Sequence, residues 1–217
     1  DGSVLFSGSA GLANHFSQIF TKKEKSKKNI TNKGPIVVVV GSRNPIAMKQ
    51  IECLKGKINF KEIRIDLEDV FLNKEEKLNE YTLKAVTATI KNQHLLIYTD
   101  AVHNDKEKIN KKLMSEYHLS FRDLEINIKK IFGEIVLKIL QNGNLRNLIL
   151  TGGDVALGVC KELGISKLTI LEELLPGIPL STACFENIFL NIMTKAGGFG
   201  EEDTLYQLMT KFKNYKK

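Results

Sequence analysis

Three glycine-bearing segments hold the residues best suited to chemistry in this chain. They are Gly41-Ser42-Arg43-Asn44-Pro45, Thr151-Gly152-Gly153-Asp154 and Lys195-Ala196-Gly197-Gly198-Phe199-Gly200. The chemistry they suit is the holding of phosphate. Where a helix begins, its first backbone N–H groups lack intrahelical partners, and that end carries roughly half a positive charge. Glycine lets the backbone approach a ligand closely and adopt φ > 0, and consecutive glycines can gather amides into an anion-binding nest. Ser42 adds a hydroxyl, and Lys195 adds a mobile cation able to reach a terminal phosphate. Asp154 is a poor direct phosphate ligand; it can cap its helix, bind a ribose hydroxyl or orient a magnesium-bound water. Taken singly, each segment also satisfies the needs of a tight turn or a helix start. Phe199 reads as a local packing anchor more readily than as a platform for adenine. Neither G-x-x-x-x-G-K-[ST] nor a full G-x-G-x-x-G is present, so the chain is neither an ordinary P-loop enzyme nor an obvious dinucleotide binder.

Each of these segments follows an apolar run and precedes a helix start. The run at 36–40 is continuous and β-branched, as expected of a strand buried on both faces. Asn44 can cap the following helix with Pro45 at its first position, and Gly56 ends it. Further strands are expected at 60–65, 95–98, 145–150 and 167–171, and two extended runs at 178–184 and 188–193 suggest a hairpin. Helices are expected at 75–92, 106–116, 154–163 (ended by Gly164) and 202–212. Ser120 and Asp123 resemble a capping box that opens a long helix to about Gln141, stopped by Asn142-Gly143. This alternation predicts an α/β fold: a Rossmann-like three-layer sandwich with a mainly parallel sheet and a C-terminal β-hairpin. Such sheets bind ligands at the carboxyl ends of their strands, where the glycine-bearing loops fall.

The 217 residues, 42% of them hydrophobic, suffice for one substantial core. No apolar run of about 20 residues marks a membrane span, and the N-terminal Asp1-Gly2-Ser3 does not open a signal peptide. It also lacks an initiator Met. The net charge of +7 is concentrated: residues 22–28 hold five Lys and one Glu, residues 211–217 hold four Lys, and the rest is nearly neutral. A nucleic-acid groove would spread its positive charge through folded elements, so this charge reads as solvated. Cys53, Cys160 and Cys184 are far apart and read as small buried hydrophobes in a reducing cytoplasm. The four His are scattered, and no metal site is assigned. A strand at 4–7 and a helix ending near Phe20 precede a Lys-rich linker at 21–34, closed by Gly34-Pro35.

Taken together, the motifs are more specific. Gly8-Ser9-Ala10-Gly11-Leu12-Ala13, the valines before Gly41-Ser42 with Pro45, then Gln50, Thr151-Gly152-Gly153-Asp154, Pro176-Gly177-Ile178-Pro179-Leu180 and Lys195 to Gly200 occur in that order. The sequence resembles the four-carbon acid sugar kinases, the ATP-dependent threonate and erythronate kinases, and more narrowly their C-terminal nucleotide-binding domain. The resemblance covers nearly the whole chain, from about Gly8 onward. It implies that residues 1–20 are the end of an N-terminal domain that holds the sugar acid, with 21–34 the linker and 35–217 the nucleotide-binding domain. It implies nucleotide contacts from Ser42, Thr151, Gly152, Gly153, Asp154, Val155, Lys195, Gly197 and Gly198, with ATP and Mg²⁺ as cofactors. The resemblance is compatible with a cytoplasmic homodimer. The proton acceptor is expected on the absent domain, so no catalytic residue is assigned and this fragment alone is expected to be inactive. Val155 stands where the family usually has Thr, and Ala47 where it often does; each lost hydroxyl bond would cost about 0.5–1.5 kcal/mol. The competing reading is a stand-alone nucleotide- or anion-binding module. A dehydrogenase would use Asp66, about 20 residues past the first turn, but that turn lacks the second and third glycines.

Overall fold

A computed structural model describes residues 6–8, 15, 30, 32–41, 44–99, 111, 112, 114–118 and 120–215. The elements in chain order are β1 (Ile36–Val40), α1 (Pro45–Lys57), β2 (Lys61–Ile65), α2 (Leu67–Leu72), α3 (Lys74–Ile90), β3 (Leu95–Thr99), α4 (Phe121–Asn142), β4 (Asn147–Thr151), α5 (Gly153–Glu162), β5 (Thr169–Leu175), β6 (Ile178–Phe185), β7 (Ile188–Lys195) and α6 (Thr204–Lys213). Most of the expected strand at 4–7, of the helix ending near Phe20 and of the linker lies outside the described residues; Phe6 and Ser7 are described and are not in a strand, and His15 is helical. The expected helix at 106–116 is described only in part, and residues 111, 112 and 114–116 are helical.

The valine run of β1 lies at the centre. Successive strand residues point to opposite faces. Val37 and Val39 join a core cluster with α3, α4 and α5, through residues such as Ala85, Phe132 and Val159. Ile36, Val38 and Val40 join a second cluster with α1 and α6, through Ile51, Leu54, Leu208 and Phe212. All five β1 residues are therefore buried, and the three-layer sandwich is the observed architecture. One seven-stranded sheet runs in the order β2-β3-β1-β4-β7-β6-β5. The first five are mutually parallel, and β6 is antiparallel to both β5 and β7.

Local chemistry sets several boundaries. The Asn44 side chain accepts a hydrogen bond from Ile46 N at 2.9 Å, with Pro45 in the first turn of α1. The helix runs through Gly56 to Lys57, so Gly56 does not end it. Ser120 and Asp123 form the expected reciprocal capping box, and Gly164, at φ +63°, follows α5. β5 runs to Leu175, beyond the expected end at 171. The six-residue α2, too short to show helical periodicity, is not foreseen; the Asp66 carboxylate caps it by accepting from Asp69 N at 3.1 Å. Asp66 therefore has a structural task.

Residues at the end of the Lys-rich stretch are docked. Asn32 Nδ2 donates to the Lys213 and Tyr215 carbonyls at 2.7 and 2.8 Å, closing the last turn of α6. Asn147 Nδ2 donates to Lys33 O at 2.9 Å. His94 accepts the Ile36 N–H at 3.0 Å through Nδ1; burial, helped by Lys213, lowers its pKa and favours this neutral acceptor. The cysteines depart from expectation: Cys53 and Cys160 are half-buried and Cys184 is exposed, all three as free thiols. Burial raises the Cys160 thiol pKa. Among the described residues, no helix is long and apolar enough to cross a membrane.

Candidate functional site

β1, β4 and β7 are neighbours and parallel, and their registers align Val40 with Thr151 and Thr151 with Lys195. The three strands thus end on one line, with about 5 Å between neighbours. Gly41 N donates to Thr151 O at 3.3 Å, and Gly152 N donates to Lys195 O at 2.9 Å. The three glycine-bearing loops, up to 159 positions apart in the chain when counted from Gly41 to Gly200, leave the same edge of the sheet side by side. Ser42 and Arg43 lie outside the described residues, so the structure places only Gly41, Asn44 and Pro45 of the first segment.

The middle loop is a helix start with free donors. Gly152, at φ +103°, is the N-cap of α5, and no side chain caps this helix. A left-handed φ is costly for residues with a Cβ. Gly153 is exposed, with open space where a Cβ would project. The amides at 153–155 belong to the first turn, where intrahelical partners are lacking. The Asp154 carboxylate is exposed and pairs with Lys129 Nζ of α4 at 2.8 Å. It does not cap α5.

The Val155 side chain is buried in the core, and Ala47 is buried on the opposite face of the sheet. A Cβ on Gly41 would lie 2.1 Å from Val155 Cγ2 and 3.1 Å from the Phe132 ring. The glycine at 41 is therefore needed for close contact between the first loop and α5. Both departures from the family pattern are thus core side chains, and that of Val155 packs directly under Gly41 of the first loop.

The third loop differs most from the sequence expectation. Lys195 is not a mobile cation: it is 2% exposed. Its Nζ donates to the carbonyls of Ala196, Gly197 and Phe199 at 2.8, 3.0 and 2.9 Å. Gln50 Nε2, from α1, donates to Phe199 O and Glu201 O at 3.1 and 2.8 Å. Thr151 and Gln50 are fully buried; among the described residues Thr151 Oγ1 and Gln50 Oε1 have no hydrogen-bond partner. Gln50 is absent from the contacts inferred for the loops, although it occupies a readable position. Ala47, Gln50, Ile51 and Leu54 are the buried residues of α1, and their helical spacing makes Gln50 a polar residue on a core face. Gly198 lies against the α1 cap, where a Cβ would meet Asn44 Nδ2 at 2.1 Å. The half-exposed Phe199 ring rests over Gly177 in the β5–β6 turn, 3.0 Å from the position of a Cβ there, which fits a packing anchor.

Burial pushes the Lys195 pKa down from 10.5 to about 8. Between these values the unfolded chain binds more protons than the folded one, so this group adds stability as pH rises from 8 to 10.5 and withdraws it as pH falls through 8. Lys195→Met lacks that contribution. Melting curves from pH 7 to pH 10 should therefore show the wild type gaining on the variant; a pH-independent difference would contradict the shift.

The fold and the loop row first define a class: a mainly parallel α/β domain, covered on both faces, with a phosphate-compatible row of glycine-rich loops at its carboxyl edge. Residues 37–205 match a family model described as a nucleotide-binding C-terminal domain, and the chain belongs to that family, the C-terminal domain of the four-carbon acid sugar kinases. A D-threonate kinase of Salmonella typhimurium is 27% identical over 203 residues, covering 93% of this chain and 46% of that protein. A 3-oxo-tetronate kinase of Haemophilus influenzae is 27% identical over 200 residues, covering 92% and 46%. The chain thus spans about half the length of these curated relatives. The solved structure of Haemophilus influenzae protein HI1011 superposes with a TM-score of 0.69 at 24% identity, over 93% of this chain and 45% of that one, and shares the fold.

Proposed function

We propose that this chain is the ATP-binding part of a kinase that phosphorylates a hydroxyl of a four-carbon sugar acid. The observation that carries the reading is the alignment of three glycine-bearing loops on adjacent parallel strands, in a domain of a nucleotide-binding family. Phosphoryl transfer is catalysed largely by positioning and charge neutralisation, and these loops have the donors for both. The first-turn amides of α5 and the amides of the Lys195–Gly200 loop would hold the triphosphate, which supplies the phosphoryl group. Mg²⁺ would arrive on the phosphates, as its preference for phosphate oxygens and water allows. The acid-binding surface and the proton acceptor are assigned to the other half of a protein of the relatives' length. Closure of that half over the open loop row would exclude water.

Calorimetric titration with ATP and with NAD, each with and without Mg²⁺, tests the reading. Saturable binding of ATP alone is expected. The companion variant is Gly198→Val, whose side chain must displace Asn44. Losing that cap costs about 1 kcal/mol, or roughly 2–4 °C in melting temperature. Losing two charge-assisted amide bonds would weaken ATP binding on the order of a hundredfold. A folded Gly198→Val variant with wild-type ATP affinity would remove this loop from the site, and NAD binding in place of ATP would overturn the function.

A further inference from the structure

The carbonyls of the third loop face inward. Those of Ala196, Gly197 and Phe199 accept from Lys195 Nζ, and those of Phe199 and Glu201 accept from Gln50 Nε2. In a planar trans peptide the N–H points opposite to the C=O of the same unit. The N–H groups of Gly197, Gly198 and Gly200 belong to the same peptide units as the Ala196, Gly197 and Phe199 carbonyls. They must therefore point away from the Lys195 ammonium. Among the described residues these three amides donate no hydrogen bond. The intervening Phe199 N–H instead donates to Ala196 O at 3.1 Å and closes the turn.

From this we infer that Lys195 and Gln50 form an internal clamp that turns the amides of Gly197, Gly198 and Gly200 outward into an anion nest, and that Lys195 is a positioning residue rather than a phosphate ligand. The inference rests on the nucleotide-binding reading for the identity of the anion. The two side chains share one acceptor, Phe199 O, and reach it from different elements, β7 and α1. Strand alternation places Lys195 on the same face as Met193, which packs with α1 and α6. Its ammonium therefore lies beneath the loop while the amides lie above it. A compact ammonium with three rotatable donors suits three converging carbonyls; a planar guanidinium does not. The buried charge also favours an anion across the loop without touching it.

The test uses Lys195→Met, Lys195→Arg and Gln50→Leu in the full chain, with ATP calorimetry and amide and ammonium NMR. Lys195→Met and Gln50→Leu should each weaken ATP binding at least tenfold, and together by less than the product of their single effects. Lys195→Arg should fail to restore affinity. In the nucleotide-free chain both single variants should shift the Gly197, Gly198 and Gly200 amide resonances. Adding ATP to the wild type should move those amides and leave the Lys195 Nζ resonance nearly unchanged. Wild-type affinity in Lys195→Arg, no effect of Gln50→Leu, or a large Nζ shift on adding ATP would overturn the clamp and make Lys195 a direct ligand. If the wild type binds no ATP, the nucleotide reading fails, while the nucleotide-free amide shifts still decide the clamp. Should Lys195→Met fail to fold, Gln50→Leu carries the test.

Discussion

Gly153→Glu is expected to abolish ATP binding and to leave the fold as stable as before, or slightly more so. The residue is the first of α5, after the Gly152 N-cap, and nothing lies within 4 Å of where its Cβ would be. A side chain therefore enters without collision. Replacing a helical glycine recovers up to about 1 kcal/mol of propensity, and a carboxylate in the first turn adds about 0.3–1 kcal/mol through the helix dipole. The effect on ligand has the opposite sign. The new carboxylate competes for the free first-turn amides and opposes the negative phosphates, a juxtaposition that costs several kcal/mol, or more than a hundredfold in affinity. Gly153→Gln separates bulk from charge and should lose markedly less. Calorimetry and thermal melts on the two variants check both signs. Wild-type ATP affinity in Gly153→Glu would mean that the phosphates do not sit on α5.

The fold was legible wherever the pattern was local. The β-branched run of β1, the Asn44-Pro45 helix start and the Ser120–Asp123 capping box each encode their element within a few residues. The hairpin was legible as two extended runs. Its docking was not, because no local signal says that β7 will lie parallel beside β4. That pairing brings the third loop into line with the first two, and its contacts span some 40 residues of sequence. The inward turn of Lys195 is hidden in the sequence because a lysine beside glycines near a strand end suggests a ligand. Period-two alternation from Met193 would have placed it on the interior face. Gln50 was similarly readable as a polar residue at a core position of α1, but its partners, the carbonyls of Phe199 and Glu201, are about 150 residues away. At Ala47 and Val155 the sequence shows only the lack of a hydroxyl; packing shows that both side chains turn into the core.

Gly41→Ala is expected to destabilise the protein far more than a single methyl usually does, and Val155→Ala should partly rescue it. The added Cβ would fall 2.1 Å from Val155 Cγ2 and 3.1 Å from the Phe132 ring. Both partners are buried, so neither can swing into solvent. Overpacking of this kind costs about 1–3 kcal/mol, or roughly 2–12 °C for a chain of this size. Val155→Ala alone should also destabilise, because it leaves a cavity against Gly41 and Phe132. In the double variant the new methyl occupies part of that space, so the combined loss should fall short of the sum by about 1 kcal/mol or more, the signature of directly touching residues. The same contact seats the start of α5 against the first loop. Gly41→Ala should therefore weaken ATP binding as it lifts the helix, and the double variant should recover affinity together with stability. Strict additivity in the melting experiment would mean that the two residues do not touch. Coupled stability without coupled affinity would mean that the height of α5 over β1 does not matter to the ligand.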